Sequence, residues 1–165
     1  GFITAGHRSL DALGKSVDAA AFDSAVALLA GADTIYLLAK RRAFPVSSYM
    51  AYAFGKLRVK CIAVGTASGI DDDILAQAGP RDAAFAISFS PYAAETIAQA
   101  RAMAERGVPV VSLTDSAFSP LAECSRIWFE LAEADHAGFR SLSASMALAM
   151  ALTVGVAEVR RHPKG

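Results

Sequence analysis

The feature that most constrains the fold is an alternation of short apolar runs with alanine-rich segments of helical period. Five runs have the length and composition of buried strands: 34–39, 59–64, 83–88, 110–114 and 127–131. Four segments between them are typical of helices: 46–57, 72–78, 92–105 and 120–123. Strands separated by helices pair in parallel, because a parallel neighbour needs a crossover connection. The pattern predicts an α/β fold, with a five-stranded parallel sheet between helices.

Helices are also predicted on either side of the sheet region. Apolar residues recur at helical spacing within 8–30, which indicates two short helices, the second capped by Asp18. A long apolar helix is predicted over 141–160. No linker, charge block or repeat divides the 165 residues. We therefore expect a single domain, with helices 8–30 leading into a sheet core at 34–131.

Composition excludes several classes of function. Lys plus Arg and Asp plus Glu number 16 each, so no net charge draws this chain to nucleic acid. A hydrophobic content of 54% favours an ordered core and a buried subunit interface. Cys61 and Cys124 lack the spacing of a zinc or redox motif and are expected to be buried thiols. With no signal peptide and no uninterrupted membrane-spanning run recognised, the sequence predicts a cytoplasmic protein without a membrane partner.

Candidate ligand groups follow three of the predicted strands. They are Lys40-Arg41-Arg42, Ser88-Phe89-Ser90 and Thr114-Asp115-Ser116. The carboxyl ends of parallel strands share one edge of a sheet, which is where ligands bind in such folds. Cations and hydroxyls beside the free amides of a helix start suit an anion. We therefore expect a phosphate or carboxylate site at this edge.

Each of these groups also has a purely structural interpretation, and the sequence leaves both open. Ser90 before Pro91 is a typical helix cap, and a run of Lys and Arg can be solvated surface. Ser119 before Pro120 likewise fits a cap, although with Thr114 it would offer hydroxyls to a polyol. A catalytic role has one further candidate. His136 lies among carboxylates and is a possible acid or base, but a lone loop histidine usually is neither.

Recognised catalytic and cofactor motifs are missing from the sequence. It has no His-Glu-x-x-His, no Gly-x-Ser-x-Gly and no phosphate-binding P-loop. A dinucleotide-binding turn is also missing, since Lys40-Arg41-Arg42 follows the first strand where glycines would be needed. The sequence therefore predicts neither a metal nor a cofactor.

Three segments, 86–92, 112–122 and 139–144, resemble the sugar isomerase (SIS) domain found at the C-terminus of RpiR-type transcriptional regulators. The resemblance covers nearly the whole chain. It implies a three-layer sandwich around a five-stranded parallel sheet that binds phosphorylated sugars through hydroxyls after the first and third strands. By position, Ser88 and Ser90 match the Ser-x-Ser pair of the family, and Glu95 matches the Glu that follows it.

Two positions depart from the family pattern. Ala43 stands where the family has a phosphate-loop serine, and Pro91-Tyr92-Ala93 replaces its Gly-x-Thr. Two hydroxyls and one flexible glycine are therefore missing. A hydrogen bond to a charged group is worth about 1.5–3 kcal/mol, so the losses weaken phosphate binding unless Arg41 or Arg42 compensates.

Together, the residues and the resemblance predict a non-enzymatic effector domain that senses a phosphorylated sugar or a related metabolite. We expect a homodimer or higher oligomer, formed through apolar helices such as 142–159, with DNA bound only through a helix-turn-helix absent from this chain. The expected ligand contacts are Lys40, Arg41, Arg42, Ser88, Ser90, Tyr92, Glu95, Thr114, Ser116 and Ser119. One alternative is an aldose–ketose isomerase with Glu95 or His136 as its base. Another is a vestigial SIS domain that serves only oligomerisation.

Overall fold

The computed structural model describes residues 1–65 and 67–163. The helices are α1 (Phe2–Ser16), α2 (Ala19–Ala30), α3 (Phe44–Lys56), α4 (Asp71–Leu75), α5 (Ala94–Glu105), α6 (Pro120–Cys124) and α7 (Ser143–Arg161). The strands are β1 (Ile35–Ala39), β2 (Cys61–Ala63), β3 (Ala83–Ile87), β4 (Val110–Thr114), β5 (Ile127–Glu130), β6 (Asp135–His136) and β7 (Phe139–Arg140). A 3-10 turn over Arg41–Ala43 joins β1 to α3.

Strands β1 to β5 form one parallel sheet in the order β2-β1-β3-β4-β5. The two central strands end in register, because Ala39 of β1 pairs with Ile87 of β3. This register brings the segments that follow β1 and β3 side by side at the carboxyl edge. The predicted five-stranded parallel sheet is confirmed.

Alternate residues of the central strands enter two separate hydrophobic cores. Leu37 and Phe85 belong to the core that also contains residues of α2, α3 and α7. Leu38 and Ala86 belong to the opposite core, which contains residues of α4, α5 and α6. Successive side chains of a strand point to opposite faces, so a strand buried on both faces must be apolar throughout. The predicted three-layer α/β sandwich is confirmed.

Helix α7 is long and apolar enough to cross a membrane by length and composition, although the sequence predicts no uninterrupted membrane-spanning run. In the structure α7 packs against α1, α2 and α3. Leu152 and Val156, on one of its faces, are completely buried. The apolar character of α7 is therefore that of a core helix.

The predicted cap at Asp18 is confirmed, and Ser119, for which the sequence left two interpretations open, is also a helix cap. The Asp18 carboxylate accepts a hydrogen bond from the Ala21 N–H at 3.0 Å and starts α2. The Ser119 hydroxyl accepts one from the Leu121 N–H at 3.1 Å and starts α6. These contacts span two or three residues, which is why local sequence is enough to predict them.

Of the two interpretations that the sequence left open for Ser90, the helix cap is wrong. Helix α5 begins at Ala94 rather than at Tyr92, and Ala93 occupies the N-cap position. The Ser90 N–H donates to Asp115, and the Ser90 carbonyl accepts from Arg42, so contacts with two other segments hold this stretch as a loop. No side chain caps α5; the hydroxyl oxygen of Ser88 accepts from the N–H of the N-cap residue Ala93 at 3.2 Å and so supports the approach to the helix.

Smaller differences arise at the edges of the sheet. Strand β2 covers only part of the predicted run 59–64, because it is an edge strand paired with β1 alone. The hairpin of β6 and β7 is not predicted at all, since each strand has only two residues and no alternating pattern. The expectation that both cysteines are buried thiols is also wrong, because Cys61 and Cys124 are half-buried.

Candidate functional site

A cavity of about 210 Å³ lies at the carboxyl edge of the sheet, between the segments that follow β1 and β3. Its cationic side is formed by Lys40, Arg41 and Arg42. The rest of its wall consists of Ala43, Ser88, Phe89, Pro91 and Ala93. Two of the three strand-end segments expected from the sequence therefore meet in one cavity. The positions that lack the family hydroxyls, Ala43 and Ala93, are part of its wall.

Lys40 is held by carboxylates. Its Nζ lies 3.0 Å from Oε2 of Glu95 and 3.8 Å from Oδ2 of Asp71. The Asp71 side chain is buried and also accepts the Gly65 N–H at 3.0 Å. The charge of Lys40 is thus largely balanced by protein groups.

Arg42 has a fixed position in the cavity wall. One of its guanidinium nitrogens donates to the Ser90 carbonyl at 3.0 Å, and the guanidinium lies 5.6 Å from the centre of the Phe89 ring. Burial lowers the pKa of Arg42, and the positive charge of Arg140 lowers that pKa further. Guanidinium stacking on an aromatic ring keeps the group charged and directional in a partly dry site. The guanidinium of Arg42 is therefore held in a defined position in the cavity wall.

Arg41 differs from its two neighbours. It is exposed, and within the described residues its side chain has no hydrogen bond or ion pair. Its backbone has φ of +56°, in the left-handed region that costs a side-chain-bearing residue about 1–2 kcal/mol. This conformation turns the chain sharply between β1 and α3. The charge of Arg41 remains available at the mouth of the cavity.

The Ser-x-Ser segment presents one buried and one exposed hydroxyl. Ser88 is buried and uses its oxygen to accept the Ala93 N–H, so its O–H is still able to donate to a ligand. Ser90 is exposed, and its backbone is bonded on both sides. Asp115 is the main anchor of this loop: it accepts the Ser90 N–H at 2.8 Å and the Tyr92 hydroxyl at 2.6 Å. Burial and this hydrogen bond raise the pKa of Tyr92.

The segment after β4 does not add hydroxyls to the cavity wall. Thr114 and Ser119 are buried, and the Thr114 hydroxyl donates to the Ser119 oxygen at 2.7 Å. The Ser116 hydroxyl accepts the Phe118 N–H at 3.0 Å. Of the two interpretations that the sequence left open here, the structure favours turn and cap chemistry. What this segment contributes is the Asp115 carboxylate, which anchors the loop after β3; the sequence places Asp115 among the groups that follow the strands but does not predict this contact.

The two candidate catalytic residues lie in different surroundings. Glu95 is on the first turn of α5, where it pairs with Lys40 and accepts a 3.4 Å hydrogen bond from Gln99. His136 is in the β6–β7 hairpin, and its ring meets the Phe2 ring edge-to-face at 4.7 Å. No hydrogen bond or ion pair joins Glu95 to His136 in the described part of the chain. Across residues 1–65 and 67–163, no group of His, Cys, Asp and Glu is placed to hold a metal ion.

The architecture and the cavity define a class: a three-layer α/β domain with a cationic cavity at the carboxyl edge of its parallel sheet. The model of the SIS domain family matches residues 28–155. The chain belongs to the SIS domain family. The comparison with curated proteins gave no match.

Solved structures share this fold at low sequence identity. The sugar isomerase domain of an RpiR transcription factor from Sphaerobacter thermophilus is similar, with a TM-score of 0.90 and 22% identity over 97% of this chain and 89% of that one. The Vibrio vulnificus NanR protein complexed with ManNAc-6P has a TM-score of 0.85 and 23% identity; 98% of this chain matches 61% of NanR. Escherichia coli CFT073 c3406 in complex with A5P has a TM-score of 0.78 and 17% identity, over 99% of this chain and 89% of that one.

Proposed function

We propose that this chain is the phosphosugar-binding effector domain of a bacterial RpiR-type transcriptional regulator and that it is not an enzyme. The observation that carries the proposal is the cationic cavity at the carboxyl edge, where Arg42 is fixed and Arg41 is free. The similarity to an RpiR sugar isomerase domain and to NanR complexed with ManNAc-6P supports it. DNA would then be bound by a separate helix-turn-helix domain, and the protein would act in the cytoplasm.

The proposed binding mode assigns a separate task to each group. Arg41 and Arg42 bind the phosphate by charge-assisted hydrogen bonds, in place of the missing hydroxyls. The Ser88 O–H donates to the same anion, and Ser90 and Tyr92 lie beside it on the loop. Lys40 and Glu95, already paired with each other, meet the hydroxyls of the sugar. The cavity of about 210 Å³ suits the head of such a ligand rather than the whole of it.

Isothermal titration calorimetry tests this proposal. The probes are ManNAc-6P, A5P, their unphosphorylated parent sugars and inorganic phosphate, titrated into the wild-type chain and into Arg42→Gln. We expect the phosphorylated probes to bind and the parent sugars to bind at least tenfold more weakly, because the sugars lack the charge. The matched control is Arg126→Gln, an exposed arginine at the amino end of β5. Binding that Arg126→Gln and Arg42→Gln weaken equally would contradict the proposed site.

We also propose that the domain is a homo-oligomer assembled through α7 and its neighbours. Val154 and Val159 of α7 are 51% and 41% exposed. A groove of about 420 Å³, lined mostly by apolar residues of α1, α2 and α7, lies beside the same helix. A regulator needs two quaternary arrangements that differ in affinity for the ligand, and an interface helix supplies them.

An aldose–ketose isomerase is the second candidate function. The position of Glu95 favours it, since a carboxylate beside Lys40 of the cavity wall is a candidate for the base that proton transfer between adjacent carbons requires. The pairing of Glu95 with Lys40 and the position of His136 against Phe2 rank it below the sensor. Turnover of a phosphopentose or phosphohexose that is lost in Glu95→Gln would establish the isomerase. A vestigial domain serving only oligomerisation is the third candidate, and it predicts that no probe binds.

A further inference from the structure

One carboxylate oxygen of Glu133 accepts two hydrogen bonds, and the other accepts none within the described residues. Its Oε1 accepts from the N–H and from the hydroxyl of Ser145, at 2.7 Å and 2.8 Å, and so holds the first turn of α7. Its Oε2 is buried and has no hydrogen-bond partner within the described residues. Leaving a charged oxygen buried and unpaired is costly, so the surroundings of this atom need an explanation.

Two arginines share a small cavity with this carboxylate. Arg42, from the turn after β1, and Arg140, from β7, line a space of about 10 Å³ together with Glu133. Such a space holds about one water molecule. Neither guanidinium forms an ion pair in the parts of the chain that the structure describes. Two like charges are thus kept close together without a carboxylate in hydrogen-bonding contact, an arrangement that an anion would stabilise.

The small cavity adjoins the ligand cavity. Arg42 and Phe89 belong to the walls of both, so they form the partition between them. An oxyanion that reaches Arg42 from the ligand cavity would therefore meet a guanidinium that also borders the space lined by Arg140. Arg140 is exposed on a two-residue strand, and its side chain has no hydrogen bond or ion pair within the described residues.

We propose that Arg140 is a second guanidinium of the anion site, binding the phosphate of the ligand together with Arg42, and that Glu133 competes with the ligand for both. This inference rests on the proposed function, since it adds a residue from a distant segment to the same site. Because Glu133 also holds the start of α7, ligand binding would change the charge balance at that helix. Through Glu133, ligand binding in the cavity would therefore affect α7, the helix proposed to form the subunit interface.

The first experiment follows the arginine Nε–Hε signals of the ¹⁵N-labelled chain by nuclear magnetic resonance while inorganic phosphate is added. We expect the signals of Arg42 and Arg140 to shift with the same dissociation constant, while that of Arg126 stays in place. A shift of Arg42 without Arg140 would overturn this inference and leave the proposed function standing. If neither signal shifts, both the inference and the proposed cationic site are wrong.

The second experiment measures phosphate affinity in variants. Arg140→Gln should weaken binding about tenfold, the effect of losing one charge-assisted contact, whereas Arg126→Gln should not change it. Glu133→Gln keeps an oxygen for Ser145 but removes the competing charge, so it should tighten binding several-fold. A purely structural Glu133 would give unchanged affinity, which would refute the competition. Circular dichroism of each variant checks that the fold is retained.

Discussion

The contact between Asp115 and Tyr92 makes a quantitative prediction about the loop that bounds the ligand cavity. In Asp115→Ala the Tyr92 hydroxyl, half-buried, loses a 2.6 Å bond to a charged acceptor, and the Ser90 N–H loses its 2.8 Å bond. A hydrogen bond to a charged group contributes about 1.5–3 kcal/mol when it is buried. Ser90 is exposed, so water replaces its acceptor at little cost. The expected loss in the free energy of unfolding is about 2 kcal/mol.

Urea unfolding, followed by the fluorescence of the single tryptophan, Trp128, measures this loss. Tyr92→Phe is the matched variant, because it removes only one of the two bonds to Asp115. We expect it to cost about 1 kcal/mol, and the double variant to cost less than the sum of the two single changes by a similar amount. Additive losses would refute a direct interaction between the two side chains. A loss below about 0.5 kcal/mol in Asp115→Ala would refute the anchoring role of Asp115.

Asp115→Ala should also weaken ligand binding without touching the cations of the site. The loop over 88–93 forms one wall of the cavity. If the loop is mobile in the variant, the ligand must order it on binding, and the conformational entropy lost lowers the affinity. We expect the phosphorylated probe that binds the wild-type chain to bind about tenfold more weakly. If Asp115→Ala is less stable than the wild-type chain but binds the probe with unchanged affinity, the order of this loop does not contribute to binding.

Three further predictions concern the backbone of the site, the titration of a tyrosine and the interface. Arg41→Gly should raise the free energy of unfolding by about 0.5–1 kcal/mol, because glycine adopts the left-handed conformation without strain, and yet weaken phosphate binding; a loss of stability would contradict this. The pKa of Tyr92 is raised in the folded state, so its contribution to stability is present below the unfolded pKa of about 10 and lost as the pH rises further. Tyr92→Phe should flatten the fall in stability above pH 10, and an identical pH profile would show that another group causes the fall. Val154→Lys should shift the chain to a smaller species in sedimentation velocity, whereas an unchanged sedimentation coefficient would exclude this part of α7 from the interface.

The candidate site divides into parts that were predictable and parts that were not. Lys40, Arg41, Arg42 and Ser88 follow strands whose order and direction the pattern predicts, so their meeting at one edge was predictable. The buried bond between Thr114 and Ser119 was not, because nothing in the sequence shows which hydroxyls face inward.

The contacts that join distant segments of the site were not predictable for the same reason. Asp115 reaches Ser90 across 25 residues, and Arg42 reaches Ser90 across 48. Arg140 lies in a hairpin too short to have a periodic pattern. Sequence periodicity gives information about residues within one or two helical turns of each other. It gives none about pairs that are 25 or 48 residues apart.

The sequence by itself determined the α/β class, the parallel sheet and the cap at Asp18, because apolar periodicity and capping act over a few residues. Only the tertiary structure decided where α5 begins, which cations are neutralised and which remain free. Lys40 is balanced by Glu95 and Asp71, whereas Arg41 has no such partner among the described residues. These outcomes depend on the register of β1 against β3 and on the packing of their loops, where charges and hydroxyls from distant segments compete for the same partners.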